Sequence, residues 1–368
     1  VGELSFPRIR VEGGPAERGQ QYGAQAASRI KRGIEIYQEI FEHYAGWDWA
    51  KVVKHAHSFE PVFESYRSHF LTEMRGIAEG AGVSLGDILA LNVRTEVMFA
   101  GVARAAAKEC TAFVALPEVT KDRHTLIGQN WDWKPATSET LVILEVEPEK
   151  GPRFVTVVEA GMLAKIGFNS AGIGLTTNAL VSDHDKGLPA VPYHAVLRAV
   201  LESETPAAAL LAITYHRRSS SANYLIGHRD GEAINVETAP GDYSRVYVQF
   251  PEGEVYGHAN HFASPGFGLK DVGMWEGPGS LFRAHRVKKL LERSAGEVTV
   301  EVSQKVLTDH FSNPSSICSH TDPKLSPVEQ FATITSVIMD LDTREMWVTN
   351  GNPCQTPYHH LDYGSLLA

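Results

Sequence analysis

Apolar residues recur every three to four positions from about Glu17 to Met98, and at every second position in short runs after Cys110. That change of period limits the chain to a helical front followed by sheet. RGQQYGAQAASRIKRGIEIYQEIFEHYAG and PVFESYRSHFLTEMRGIAEG each carry an apolar stripe along one helical face. TAFVALP, HTLIGQNWDW, TLVILEVEP and RFVTVVEA read as strands, broken by Pro, Gly, Asp and Lys turns. Farther on, VPYHAVLRAVLES, TPAAALLAITYHR, SLFRAHRVKKLLERS and VSQKVLTDHF read as helices. NYLIGHR, EAINVET, SRVYVQF, EVYGHAN, TITSVIMDLDT and EMWVTNG return to strands. Helices set between runs of antiparallel strands predict α+β layers, not the βαβ alternation of a doubly wound sheet. With 368 residues, 43% of them hydrophobic, and no repeat or long linker, the two sections are expected to form one body with a sizeable core.

The junction, GVARAAAKEC, offers little to pack and is the kind of exposed connection where a chain can be nicked. The formal net charge is −10 and the Lys and Arg residues are dispersed, which argues against nucleic acid as a partner. No run approaches ~18 apolar residues, so no membrane-spanning helix is expected. The opening VGELSFPRIRVEGG lacks the charged start and apolar run of a secretory signal. Three cysteines, Cys110, Cys318 and Cys354, argue against a disulfide framework and for a reducing, cytoplasmic setting.

Candidate chemistry is narrowed by context. Gly82-Val83-Ser84-Leu85-Gly86 fits the G-x-S-x-G pattern of a serine nucleophile, but that elbow needs a strand before it and a helix after it. Ser84 instead lies between two helical stretches with Asp87 three residues on, which predicts a capping box. His258 and His261, with Asp309, His310, Cys318 and His320, carry metal-capable side chains. They show no HExxH, no CxxC pair and no helical His pair ahead of a Glu, so neither a metal nor another cofactor is expected. GIGLTTN lacks the third glycine of a dinucleotide loop.

Cys110 stands at the helix-to-sheet junction and opens the first strand. The turn PEVTKDRH makes that strand and GQNWDW an antiparallel pair, which brings Asp132 back beside the backbone nitrogen of Cys110. No papain-type or caspase-type signature surrounds the cysteine.

The ordered set KEC-TAFVALP, GQNWDW, GFNSAGIGLTTNAL, GHANHF, SSICSH and GNPC, with PAERGQQYG and LNVRTE in the front section, spans nearly the whole chain. It resembles the family of self-cleaving acyltransferases and amidohydrolases typified by acyl-CoA:6-aminopenicillanic acid acyltransferase. That family is similar in turn to penicillin V acylases and bile salt hydrolases. The resemblance implies a four-layer αββα N-terminal-nucleophile fold. Residues 1–109 would be a helical chain that stays associated after cleavage, and residues 110–368 the catalytic chain. It implies that Cys110 becomes N-terminal when the Glu109–Cys110 bond is cut, where the fungal acyltransferase of the family has glycine in place of Glu109. Asp132 matches the aspartate that follows the family's Asn-Trp pair, and Asn260 matches an oxyanion donor. Asn178 matches a site-lining asparagine, and Trp133 stands where a pocket-lining phenylalanine is found. Thr111 and Trp131 complete the expected substrate pocket. The expected activity is thiol-dependent hydrolysis of a small amide, with acyl transfer from acyl-CoA or an amide to an amine as the alternative. The expected partners are that small molecule and the chain's own cleaved front segment, with a homo-oligomer left open by the sequence.

Overall fold

The computed structural model describes residues 3–100, 110–264 and 268–368. Among its described residues the front section holds β1 (Arg8–Gly13) and then the helices α1 (Pro15–Ala45), α2 (Trp49–His57), α3 (Glu60–Ala81), α4 (Leu85–Asn92) and α5 (Arg94–Ala100). The helices fall where the three- and four-residue spacing puts them, whereas β1 is a strand ahead of that helical stretch, in a segment to which the sequence reading gave no element. Ser84 caps α4 in a full capping box with Asp87, so the G-x-S-x-G segment is a helix start.

After the front section come β2 (Cys110–Ala115), β3 (Leu126–Trp133), β4 (Leu141–Pro148), β5 (Phe154–Glu159), β6 (Ile166–Asn169) and β7 (Ile173–Ala179). Helices α6 (Tyr193–Leu201) and α7 (Pro206–Thr214) lead to β8 (Ala222–His228), β9 (Glu232–Thr238), β10 (Val246–Gln249) and β11 (Val255–His258). Helices α8 (Val272–Glu276), α9 (Gly279–Glu292) and α10 (Val300–Leu307) precede β12 (Ala332–Asp340), β13 (Glu345–Thr349) and β14 (Tyr358–Asp362).

Two sheets result. The larger runs β1-β4-β5-β6-β7-β8-β9-β10 and the smaller β11-β2-β3-β12-β13-β14. Among the strands of the described residues every pairing is antiparallel except that of β1 with β4, so the front section contributes an edge strand to the large sheet. The sheets face each other: a Cβ on Gly174 of β7 would strike Ile127 of the small sheet and Leu341 just past β12, and one on Gly227 of β8 would touch Val114. On the outer side of the large sheet Tyr193 of α6 hydrogen-bonds Thr177 of β7. On the outer side of the small sheet, α9 and α10 bury Val287, Leu291, Val306 and Leu307 against Phe113, Leu126 and Ile338. The order helix, sheet, sheet, helix is the expected αββα sandwich.

Helices α1 and α3 cross at unusually close range. A Cβ on Gly19 or Gly23 would overlap the carbonyl oxygens of Glu73 and Ile77, and one on Gly76 or Gly80 those of Ala16 and Gln20. Four glycines therefore set the separation of these helices. Among the described residues, no helix is long and apolar enough to cross a membrane.

Candidate active site around Cys110

Strand β2 lies between β11 and β3, with Cys110 paired to Trp131 and Thr111 to Asn130. Alternation along β2 puts Cys110 with Ala112 and Val114 on the face toward the large sheet, and Thr111 with Phe113 on the face toward α9. The same alternation on β3 turns Trp131 and Trp133 inward and Asp132 outward. Asp132 thus sits one residue past the partner of Cys110, at the end of β2 where the backbone nitrogen of Cys110 lies. That nitrogen donates to Asn260 Oδ1 at 2.6 Å, and the Cys110 thiol lies 3.9 Å from the Asp132 carbonyl.

Three side chains hold this corner. Asn260, just past β11, donates through Nδ2 to the carbonyl of Ala179 at 2.9 Å, linking the two sheets at the thiol. Arg283 of α9, itself buried, donates to the Cys110 carbonyl at 2.6 Å, to Thr111 Oγ1 at 3.1 Å and to Asn260 Oδ1 at 3.2 Å. Thr333 of β12 donates to Asp132 Oδ1 at 2.5 Å. A register shift between Thr333 and Thr335 leaves Thr333 directly opposite Asp132, the local irregularity that re-aims a side chain.

The inward face carries charge as well as apolar surface. Lys165 points its ammonium at the Trp131 ring, 4.6 Å from the centroid, and at the Tyr193 ring, 5.3 Å away. The Arg94 guanidinium lies 4.5 Å from the Trp133 centroid and 3.0 Å from Glu159. Trp133 donates to Tyr37 at 2.9 Å, which donates to Glu159 at 2.7 Å. Burial pushes the Cys110 thiol up, Lys165 pulls it down and the Asp132 carboxylate adds to the rise, for a net increase. Burial, reinforced by Arg94, brings Lys165 down to about 8, against the opposing pull of Cys110 and Glu159.

Asn178 and Thr176 of β7 share the inward face with Gly174. Among the described residues both amide atoms of Asn178 and the hydroxyl of Thr176 are buried without a hydrogen-bond partner. Such groups are uncommon in protein interiors and mark a place where another molecule can supply the missing bonds.

The sequence-derived set is therefore largely brought together: Cys110, Asn260, Trp131, Trp133 and Asn178 surround one end of the inter-sheet layer, and Asp132 reaches the same end of β2 from the outward face of β3. Thr111 is the exception, lying on the other face of β2 with Arg283. Glu109 and the junction 101–109 lie outside the described residues. Sequence reading gave no role to Lys165, Arg94, Gln129, Arg283 or Thr333. Lys165 does leave a signal, a single charge in the apolar run GMLAKIGF. Gln129 leaves none of that kind; it bridges the sheets through both bonds of its amide to the Thr177 backbone. His258 and His261 are taken up by Glu237 at 2.7 Å and Ser280 at 2.8 Å, so this pair has ordinary hydrogen-bonding roles.

The model of the family acyl-coenzyme A:6-aminopenicillanic acid acyl-transferase matches residues 119–355. The acyl-coenzyme A:6-aminopenicillanic-acid-acyltransferase 40 kDa form of Emericella nidulans is 28% identical over 349 residues, which is 94% of this chain and 92% of that protein. The conjugated bile acid hydrolase of Clostridium perfringens superposes with a TM-score of 0.49 at 12% identity, over 71% of this chain and 94% of its own. Penicillin V acylase from Agrobacterium tumefaciens gives 0.44 at 14% identity, over 69% and 86% of the two chains.

Proposed function

Because this chain belongs to the acyl-coenzyme A:6-aminopenicillanic acid acyl-transferase family, we propose that it is a cysteine amidohydrolase activated by cutting itself between Glu109 and Cys110. The observation that carries this reading is the position of the Cys110 backbone nitrogen, bonded to Asn260 and flanked by Asp132 at the start of an interior strand. In the precursor, the Cys110 thiol attacks the Glu109 carbonyl and the acyl group passes from nitrogen to sulfur. Water then cleaves that thioester, leaving a carboxyl on Glu109 and a free α-amine on Cys110.

A base is needed because an ordinary thiol, with a pKa of ~8.5, is only slightly ionised at neutral pH and burial pushes Cys110 further up. An α-amine with a pKa near ~7.7 fits that task without a distant histidine. In the mature enzyme the amine takes the thiol proton and the thiolate attacks a substrate amide carbonyl. Asn260 stabilises the resulting oxyanion. The protonated amine then gives its proton to the leaving amine, and the acyl group stays on Cys110 as a thioester. Water, deprotonated by the same amine, releases the acid. Asp132, held by Thr333, orients the amine, and Asn178 with the Trp131 and Trp133 walls receives the acyl part.

A second reading, transfer of the acyl group from acyl-CoA or an amide to an amine, is favoured by the name of the Emericella relative. The front segment 1–109 stays bound after cleavage, a reading supported by β1 in the large sheet. A cytoplasmic location is supported by the odd count of three cysteines in a chain of this size.

Denaturing electrophoresis with mass spectrometry tests the mechanism. Wild type gives fragments of about 12 kDa and about 28 kDa, from average residue mass, and Cys110→Ala gives one uncut chain. An uncut wild type that still turns over amides would sink the mechanism. Product analysis with and without an acceptor amine then separates hydrolysis from transfer.

A further inference from the structure

Between α10 and β12 the chain runs through residues 308–331 without regular secondary structure, and it brings His310, Cys318 and His320 to Cys354 in the turn that follows β13. One potential ligand atom from each of the four side chains falls within 4.8 Å of all the others. His310 Nε2 and His320 Nε2 are 3.1 Å apart, and the two sulfurs 3.5 Å. His320 Nε2 is 3.6 Å from Cys318 Sγ and 3.4 Å from Cys354 Sγ. A tetrahedral zinc with ordinary bond lengths requires edges of about 3.4 Å for N–N, about 3.8 Å for S–S and about 3.6 Å for S–N. Four of the six edges match those values within a few tenths of an ångström, and the two from His310 to the sulfurs lie within 4.8 Å.

Hydrogen bonding among the same groups does not account for this arrangement. An imidazole Nε2 offers one in-plane proton or one lone pair, enough for one partner. Here His310 and both thiols converge on the same nitrogen of His320. We propose that His310, Cys318, His320 and Cys354 form a tetrahedral Cys2His2 site for zinc. Two thiolates and two neutral imidazoles leave the site uncharged, and each ion bound releases the two thiol protons. The proposal departs from the expectation of no metal drawn from spacing, in which Cys354, remote in sequence, was not weighed with the other three.

The ligands are held in place independently of the ion. Cys318 N donates to the Asp309 carbonyl and His320 N to the Pro314 carbonyl, each at 3.0 Å. Asp309 is gripped by Arg286 of α9 through two bonds of 2.6 Å. Asn352 donates to Cys318 Sγ at 3.5 Å and to the Ser319 carbonyl at 2.6 Å, the outer-shell support that tunes a thiolate ligand. Ser319, between two of the ligands, exchanges bonds with Thr333: its N–H donates to Thr333 Oγ1 at 2.9 Å and its carbonyl accepts from Thr333 N at 3.0 Å. Thr333 is the residue that donates to Asp132. The zinc therefore clips a long loop to the β13–β14 turn and steadies the strand that carries Thr333. The assignment needs no particular chemistry at Cys110.

Full-length protein, freed of any polyhistidine tag and dialysed, is assayed for metal and reconstituted anaerobically with cobalt under reducing conditions. The expected result is about one zinc per chain, falling below about a tenth in Cys318→Ser/Cys354→Ser, with Cys110→Ala keeping its ion. Cobalt should give thiolate charge-transfer bands and the intense visible bands of tetrahedral geometry. His310→Gln, at an exposed ligand, should weaken retention against a chelator while preserving the fold. The proposal is overturned by wild type that takes up neither metal, by a double variant that keeps its zinc, or by a Cys318–Cys354 disulfide in place of the ion.

Discussion

Lys165 sits in an apolar run with its ammonium against two aromatic rings, and the charge matters to the thiol beside it. A cation near a thiolate favours the anion and lowers the thiol pKa, so removing the cation raises it. Lys165→Met is expected to slow alkylation of Cys110 by iodoacetamide at neutral pH by about three- to tenfold, with the pH profile displaced upward. An unchanged or downward-displaced profile removes Lys165 from the site. The same sign applies to wild type: Lys165 is held at about 8, so its help to the thiolate is present below that pH and is lost above it. Cys110 and Asp132 were legible in the sequence because a hairpin turn of fixed length carries one strand end to the other. Arg283 and Thr333 were not, because they reach the site from α9 and β12, whose positions no local pattern specifies.

Helices α1 and α3 were also legible, since both carry apolar stripes of regular spacing, but their contact was not. Gly19 and Gly33 of α1 look equivalent in sequence, yet a Cβ at Gly19 would enter the backbone of α3 and one at Gly33 would meet only Thr140 Cγ2 at 3.7 Å. Helix propensity favours alanine at both positions by about 1 kcal/mol. At Gly19 overpacking against rigid backbone outweighs that gain, costing about 1–3 kcal/mol. Gly33→Ala should raise the urea midpoint and Gly19→Ala should lower it; equal effects would show that the crossing is not set by these glycines. Strand β7 was missed for a related reason. Its first residues, Ile173 and Gly174, open a glycine-bearing run that reads as a turn, whereas Gly174 is small because the facing sheet approaches there. Strand β1 was missed because six residues ahead of a long helix carry too weak an alternation to stand out.

Across the whole molecule, the front section is tied to the rest by buried charge. Glu73 of α3 accepts from Arg18 of α1 at 2.8 Å and from both terminal nitrogens of Arg198 on α6, at 2.9 and 2.8 Å. Arg198 also donates to Glu202 at 2.9 Å. Breaking a buried ion pair on one side leaves uncompensated charge and costs about 3–5 kcal/mol. Glu73→Gln should therefore lower stability by that order in urea and, if the chain is cut at Glu109–Cys110 as proposed, let the two fragments separate on gel filtration at denaturant concentrations where the wild-type pair co-elutes. Co-elution of the variant's fragments throughout the same range would show that the sheet edge alone holds the section. The β1–β4 pairing has a practical consequence for production of the protein. A shortened gene starting at Cys110 would leave one flank of β4 bare and strip the cover from the adjoining apolar face, inviting strand-to-strand aggregation. Supplying a ready-made amino terminus by translation is thus no substitute for letting the intact polypeptide fold first.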